Sequence, residues 1–251
     1  HARRFMEKEL ERVSSGTVKN LTDCLRAAFN RAIDGKLIGS NPFHRVTPGK
    51  LDKTDKHERR AFTMEEAKRL TEILPGEWPD MVRVCLYTGG QRLGDIAKLK
   101  WEQINLEGGL IAMTTEKTKR RMNKPIISSL KDVLKRRYEG RVSDYVFPLA
   151  AMKHAQADNT SGKLSLEFHE LLKEHGFIEN MNNAPRHGDR RRQADLSFHS
   201  LRATAVTALR LAGVPSDLCR VIVGHDSEEI ERVYFRPDSA AIAEAMKHLS
   251  L

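Results

Sequence analysis

GLIAMTTEKTKRRMNKPIIS, residues 109–128, is the stretch on which the fold class turns. Two short apolar segments flank a basic, polar centre, which is the pattern of two strands joined by a turn. No other stretch carries a comparable strand signal, and most of the sequence around it has apolar residues at helical spacing. The expected architecture is therefore mainly α with a small antiparallel β-sheet, an α+β arrangement.

Working outward towards the C-terminus, helices are predicted at 129–138 and 163–174, with DYVFP (144–148) between them as a strand or extended segment. ENMNNAPRHGDRRRQADLS (179–197) is polar and basic and reads as an exposed loop. A helix follows over 199–212, then a short one capped by Ser216 and stopped at Gly224. The last predicted helix, 238–249, gathers Ile242, Met246 and Leu249 on one face. Towards the N-terminus, Thr63 and Glu66 form a capping box for a helix running to about Leu74. MVRVCLYTGGQRLGDIAKL (81–99) reads as a buried helix, a Gly-Gly break and a short second helix. VTPGKLDKTDKHERR (46–60) is charged and without periodicity, as expected of an interdomain linker. Ahead of it, residues 16–38 place Leu21, Leu25, Phe29 and Ala32 at helical spacing, ending near Gly35. The division expected is a helical piece over 1–48, a linker over 49–60 and a larger domain over 61–251.

Composition narrows the function classes. The chain of 251 residues is 39% apolar and 31% charged, which excludes a disordered majority. No apolar run approaches the roughly 18 residues of a membrane span. The first residues, HARRFMEKEL, have no apolar signal-peptide core and no initiator Met, so the sequence reads as part of something longer. Cys24, Cys85 and Cys219 are scattered and lack metal-ligand spacing, as buried or partly buried free thiols in a reducing cytoplasm would be. Lys and Arg (43) exceed Asp and Glu (34), giving +9, which favours a polyanionic partner.

Several clusters could do chemistry. Arg92 in TGGQRLGDI starts a helix after a glycine turn, where backbone N–H groups and a guanidinium can together meet an anion. The plain reading is a turn with a surface arginine. EKTKRR puts Lys117, Lys119, Arg120 and Arg121 at the hairpin tip, within reach of a nucleic-acid groove or simply solvated. His199 and Arg202, three apart in FHSLRATAVTAL, project from one helix face; a structural ion pair is the ordinary alternative. His225 alone is a turn residue, and Tyr234 alone is a packed aromatic. Taken together, two arginines, a lysine, two histidines and a tyrosine suit a phosphodiester. The arginines offer fork-shaped donors to non-bridging oxygens and stay charged. Nearby positive charge favours the phenolate of a tyrosine. No carboxylate cluster accompanies them, so a metal-free and cofactor-free route is expected.

These residues resemble the tyrosine recombinase, or phage integrase, family. The family's pattern is an Arg after a Thr-Gly turn, a hairpin Lys, His-x-x-Arg, Gly-His, and a Tyr nine residues past that His. Here it reads Arg92 in TGGQRLGDI, Lys117 in EKTK, His199 and Arg202 in HSLR, His225 in GHDS and Tyr234 in VYF. VKNLTDCLRAAFNRAIDGKLIGSNPF is similar to the last helical stretch of the family's core-binding domain. The resemblance implies that Tyr234 attacks the scissile phosphate of double-stranded DNA to form a 3′-phosphotyrosyl link. Arg92 and Arg202 would hold the phosphate, Lys117 would protonate the 5′-oxygen, and His199 would act as base or phosphate donor. His225 would add a hydrogen bond to the phosphate, and Asp95 would support the site from behind. Lys119, Arg120 and Arg121 would contact DNA. It also implies a homo-oligomer, a tetramer on DNA and a monomer in solution, no membrane, and a bacterial mobile-element integrase working on the nucleoid in the cytoplasm. TGGQR is one residue longer than the commoner Thr-Gly-x-Arg turn, and Asp95 stands where Glu is frequent. Two other readings share the basic surface: a type IB topoisomerase-like enzyme and a catalytically silent DNA-binding module.

Overall fold

The computed structural model describes residues 1–46, 60–114, 121–157, 161–178, 195–224 and 239–251. By their internal contacts, the described residues up to 46, together with residue 195, belong to one unit, and the described residues within 60–178 and 196–251 to a second.

In the first unit, α1 (Ala2–Arg12) and α2 (Ser15–Asp34) pack against each other. The Ser14 side chain accepts from the Thr17 N–H at 3.3 Å, satisfying one of the orphan donors at the start of α2. The chain beyond α2 is tied back by Arg26, whose guanidinium donates to the carbonyls of Phe43 (3.1 Å) and Val46 (3.0 Å). Phe43 lies 5.5 Å from Phe29 and edge-on to Phe5 at 6.1 Å, so a small aromatic cluster closes the unit. Two expectations are corrected here. The buried stripe of α2 runs through Val18, Thr22 and the half-buried Leu25 and Phe29, while Leu21 is exposed. Cys24 is also exposed, whereas Cys85 and Cys219 are buried free thiols. The helix α1 was not foreseen: HARRFMEKELER is so charged that its two buried positions, Ala2 and Met6, give little periodic signal.

The second unit begins with α3 (Met64–Ile73), started by the expected box: Thr63 accepts from the Glu66 N–H, and the Glu66 carboxylate accepts from the Thr63 N–H. Next comes α4 (Trp78–Tyr87), the central helix of this unit, with eight of its ten residues buried. It packs against α3, α6 and α9. The short α5 (Leu93–Ala97) follows the glycine turn, and a 3-10 turn (Trp101–Gln103) leads into the sheet.

That sheet has three antiparallel strands, β1 (Ile104–Asn105), β2 (Leu110–Thr114) and β3 (Arg121–Pro125), in the order β1-β2-β3. The β2–β3 register runs from Leu110 opposite Pro125 to Thr114 opposite Arg121, which confirms the strand pair expected from the opening stretch. The two-residue β1, paired through Ile104 opposite Ile111, is too short to leave a sequence pattern.

Beyond the sheet lie α6 (Ser128–Glu139), α7 (Pro148–Ala155), α8 (Gly162–Glu174), α9 (Ser200–Leu211), α10 (Ser216–Val223) and α11 (Ser239–Met246), the last continuing into a 3-10 turn at Lys247–Leu249. Within DYVFP, Tyr145 makes an isolated antiparallel bridge to Lys100, and Pro148 opens α7 at its first position. For α10 the cap differs from expectation. Pro215 is the N-cap and Ser216 the first helical residue, without a side-chain cap bond. Gly224 ends it in the left-handed conformation (φ 72°, ψ 42°), as expected. Trp78, Phe168 and Phe198 form an aromatic cluster within one continuous core.

Candidate functional site

The site grows from the turn TGGQR. Thr88 closes α4 by donating to the Val84 carbonyl at 2.6 Å, and the Gly90 N–H returns to the Cys85 carbonyl at 2.7 Å. Gly89 and Gly90 both have positive φ, 87° and 75°, which glycine adopts without steric cost. The space around them adds a second requirement. A Cβ on Gly89 would lie 2.5 Å from the Ile222 carbonyl oxygen, and one on Gly90 would lie 2.6 Å from the Arg202 Cα. The turn is thus wedged between α9 and α10, with two consecutive glycines of positive φ at its centre. Gln91 is buried and donates to the Thr88 carbonyl, stitching the turn to itself.

Arg202 sits in the first turn of α9, 5% exposed, and its Nη1 donates to the Gly90 carbonyl at 3.0 Å. Arg92 follows two residues after Gly90 as the half-buried N-cap of α5. One turn thus anchors Arg202 and leads directly into Arg92. Because α5 has only five residues, the positive charge here comes from the guanidiniums more than from a helix dipole. Asp95 lies in the first turn of α5 and is buried. Cys85, beneath the turn, donates to the Gln91 carbonyl. Burial pushes its thiol well above its ordinary value, with the neighbouring Arg202 charge acting in the opposite sense.

His199 is the N-cap of α9 and is exposed, although the residues on either side of it are buried. Phe198 packs into the Trp78–Phe168 cluster, and the Ser200 hydroxyl accepts from the Ser197 N–H at 3.1 Å. Anchored on both sides, His199 is held outward one turn before Arg202. At its other end the unit's first described residues are fixed to the same helix. The Thr204 hydroxyl accepts from the Phe62 N–H (2.9 Å) and lies 3.0 Å from the Phe62 carbonyl.

Arg121 is exposed at the start of β3, opposite Thr114. Lys117, Lys119 and Arg120, in the connection between β2 and β3, lie outside the described residues, as do His225, Tyr234 and most of the basic stretch 179–197. The structure accordingly seats Arg202 on the glycine turn, places Arg92 and Asp95 at the start of the short helix that follows it, sets His199 at the N-cap of the helix that carries Arg202, and ends α10 at Val223, two residues before His225. Among the described residues no group of His, Cys, Asp and Glu could hold a metal ion, and no helix is long and apolar enough to cross a membrane.

One residue of this neighbourhood escaped the sequence reading. Lys124 on β3 is 2% exposed, and its Nζ donates to the Ile222 carbonyl. Its signal was the alternation of β3 itself, in which Met122 and Lys124 share the inward face. A lysine at such a position reads as solvent-facing unless the alternation is trusted over residue type.

Comparison with known proteins yields consistent matches. Residues 60–240 match the model of the Phage integrase family. The chain is 26% identical to a "Tyrosine recombinase XerC-like" protein of Caldanaerobacter subterraneus subsp. tengcongensis, over 86% of this chain and 61% of that protein. It thus spans about three fifths of that relative's length. Among solved structures, a lambda integrase dimer bound to a COC′ core site superposes with a TM-score of 0.60 at 22% identity, covering 90% of this chain and 60% of that one. The Tn1549 transposon integrase in complex with transposon right end DNA gives 0.65 at 17% identity, covering 100% of this chain and 84% of that one. At these identities the two structures speak for the fold.

Proposed function

The chain belongs to the phage integrase family, and from that premise we propose that it is a site-specific DNA recombinase that cleaves and rejoins double-stranded DNA through a 3′-phosphotyrosyl intermediate. The observation that carries the proposal is the Gly89–Gly90 turn. It seats Arg202 on the Gly90 carbonyl and places Arg92 two residues on, with His199 one helical turn before Arg202.

In this reading the guanidiniums of Arg92 and Arg202 bind the non-bridging oxygens of the scissile phosphate. They stabilise the extra negative charge of the pentavalent transition state. The Tyr234 oxygen attacks phosphorus as the bond from phosphorus to the 5′-oxygen breaks. The phenolic proton passes to His199, and the departing 5′-oxygen takes a proton from Lys117. His225 donates a further hydrogen bond to the phosphate, and Asp95 supports the α5 start behind Arg92. The phosphodiester is exchanged for a phosphotyrosyl ester of similar energy. A 5′-hydroxyl from another duplex can therefore reverse the step and complete strand exchange. Arg121, with Lys119 and Arg120, would contact DNA phosphates, so that affinity falls steeply with salt. Lambda integrase has been captured as a dimer on a core site and as a tetramer on a Holliday junction. We extend that behaviour to this chain as assembly of several copies on DNA.

A covalent trap tests the reading. Protein mixed with a pooled library of nicked duplexes should give a denaturant-stable protein–DNA band that is absent from Tyr234→Phe. Binding without a band from either protein would favour a silent DNA-binding module. Relaxation of supercoiled plasmid without site preference would favour a topoisomerase-like enzyme.

A further inference from the structure

We propose that Lys124 is a positioning residue for strand cleavage, a buried cation that fixes the end of α10 and hence the approach of His225 to the phosphate. The inference rests on the recombinase reading above.

Burying an ammonium group is costly unless it is well partnered. The inward face of a β-strand would accept a methionine or leucine at no such cost. Yet Lys124 is among the largest fully buried side chains, and its Nζ donates to the Ile222 carbonyl. Ile222 lies in the last turn of α10, where carbonyls lose their intrahelical partners and carry the negative end of the helix dipole. A cation is the side chain best suited to that place.

The same peptide group is gripped from a second side. Gly89 leaves no room for a Cβ against the Ile222 carbonyl oxygen. Met122, two residues before Lys124 on the same face of β3, presses its sulfur against Gly224, where a Cβ would lie 2.6 Å from it. The glycine turn that delivers Arg92, the strand that follows Lys117 and the helix end that precedes His225 therefore meet around the last turn of α10. Lys124 contributes the polar bond in that junction.

The test compares Lys124→Met, which keeps most of the volume and removes the donor, with Lys124→Gln, which restores an N–H donor on a shorter side chain. Three quantities are read: single-turnover cleavage of a nicked duplex, affinity for the same duplex, and the thermal midpoint. Hydrogen exchange of the amides of residues 222–224 is followed in parallel. For Lys124→Met, cleavage should slow between about ten- and a hundredfold, as expected of a slightly misplaced group. DNA affinity, carried by phosphate contacts elsewhere, should change by less than about threefold. Exchange at 222–224 should quicken about tenfold while α3 and α4 are unaffected. Lys124→Gln should recover part of the cleavage rate. Wild-type cleavage by Lys124→Met overturns the proposal. So does an equal loss of cleavage, binding and thermal midpoint with no recovery in Lys124→Gln, which would mark a merely structural residue. If Lys124→Met does not fold, exchange in Lys124→Gln decides: faster only at 222–224 supports the proposal, and unchanged overturns it. The exchange readout does not depend on cleavage, so a wild type that never cleaves would count against the recombinase reading and leave this arm intact.

Discussion

Two arginine-rich regions of the second unit are built around different contacts. Around α4 and α6, guanidiniums meet carboxylates. Asp80 accepts from Arg83 (3.1 Å), Arg136 (2.5 Å) and Arg137 (3.2 Å), and Glu77 accepts from Arg137 at 3.2 Å. Glu77 also accepts from the first free amides of α7, those of Leu149 (3.3 Å) and Ala150 (2.9 Å), where a negative charge suits a helix start. In the glycine-turn region, Arg202 donates to a backbone carbonyl, that of Gly90. A carboxylate fixes a guanidinium and cancels its charge. A peptide carbonyl fixes its direction and brings no formal counter-charge of its own. The same residue type thus serves cohesion in one place and, in our reading, phosphate binding in the other.

The sharpest way to break this contrast is Arg92→Ala. Removing a half-buried arginine with no side-chain partner among the described residues should leave stability within about 0.5 kcal/mol. Single-turnover cleavage should fall by about 10²–10³-fold, roughly 3–4 kcal/mol of transition-state stabilisation. A large loss of stability measured by urea unfolding would place Arg92 with the cohesive arginines instead.

Gly90→Ala probes the frame that holds Arg202. Its Cβ would meet the Arg202 Cα at 2.6 Å in a backbone conformation strained for alanine. A loss on the order of 3 kcal/mol is expected in urea unfolding, with cleavage abolished even in the fraction that remains folded. Full cleavage by folded Gly90→Ala would show that the seat of Arg202 is dispensable.

Asp80→Ala tests the other side. With its carboxylate gone, the largely buried Arg137 loses one of two anionic partners, at a cost of about 2 kcal/mol. Cleavage per folded molecule and DNA affinity should be unchanged. If cleavage falls instead, the two regions are coupled and the contrast between them fails.

How much of this was legible before the structure depended on the range of the interactions. The Thr63–Glu66 box and the Gly224 stop are local, written in residues three apart or in one glycine, and both are present as read. The β2–β3 pair was legible because its two apolar segments are separated by a short basic stretch. The pairing of Arg202 with the Gly90 carbonyl spans 112 residues, and no spacing could reveal it; only the order of the motifs pointed there. Lys124 was missed for a related reason: its partner is 98 residues away, and a lysine's type argues for solvent until a distant helix end supplies the carbonyl. The helix α7 was missed because much of its definition comes from elsewhere, with Glu77 capping it from 72 residues upstream.

A third arginine environment, at the surface, calibrates the comparison with its smallest effect. Arg60 makes a two-pronged contact with Glu66 (2.7 and 2.9 Å), yet its side chain is 45% exposed, so solvent screens much of the attraction. The hydrogen bond from Arg60 is the main influence holding the Glu66 carboxyl below its ordinary value. Partial burial opposes it, and the Thr63 amide adds to the lowering. A carboxyl whose folded value lies below its unfolded one adds stability that is fully present above the unfolded value, about 4.3. That contribution disappears as pH falls through the folded value, because both states are then protonated. Glu66→Gln should therefore cost a fraction of a kcal/mol at pH 7, within the range of exposed pairs of roughly 0–1 kcal/mol. The difference from wild type in urea unfolding should shrink steadily below about pH 4. Thr63→Ala, which removes the other half of the box, should cost about 1 kcal/mol. Because a hydroxyl does not titrate, most of that cost should persist at low pH. A Glu66→Gln deficit as large at pH 3 as at pH 7 would mean that the carboxylate's charge contributes nothing. The surface arginine would then differ from those around Asp80 in kind and not merely in degree.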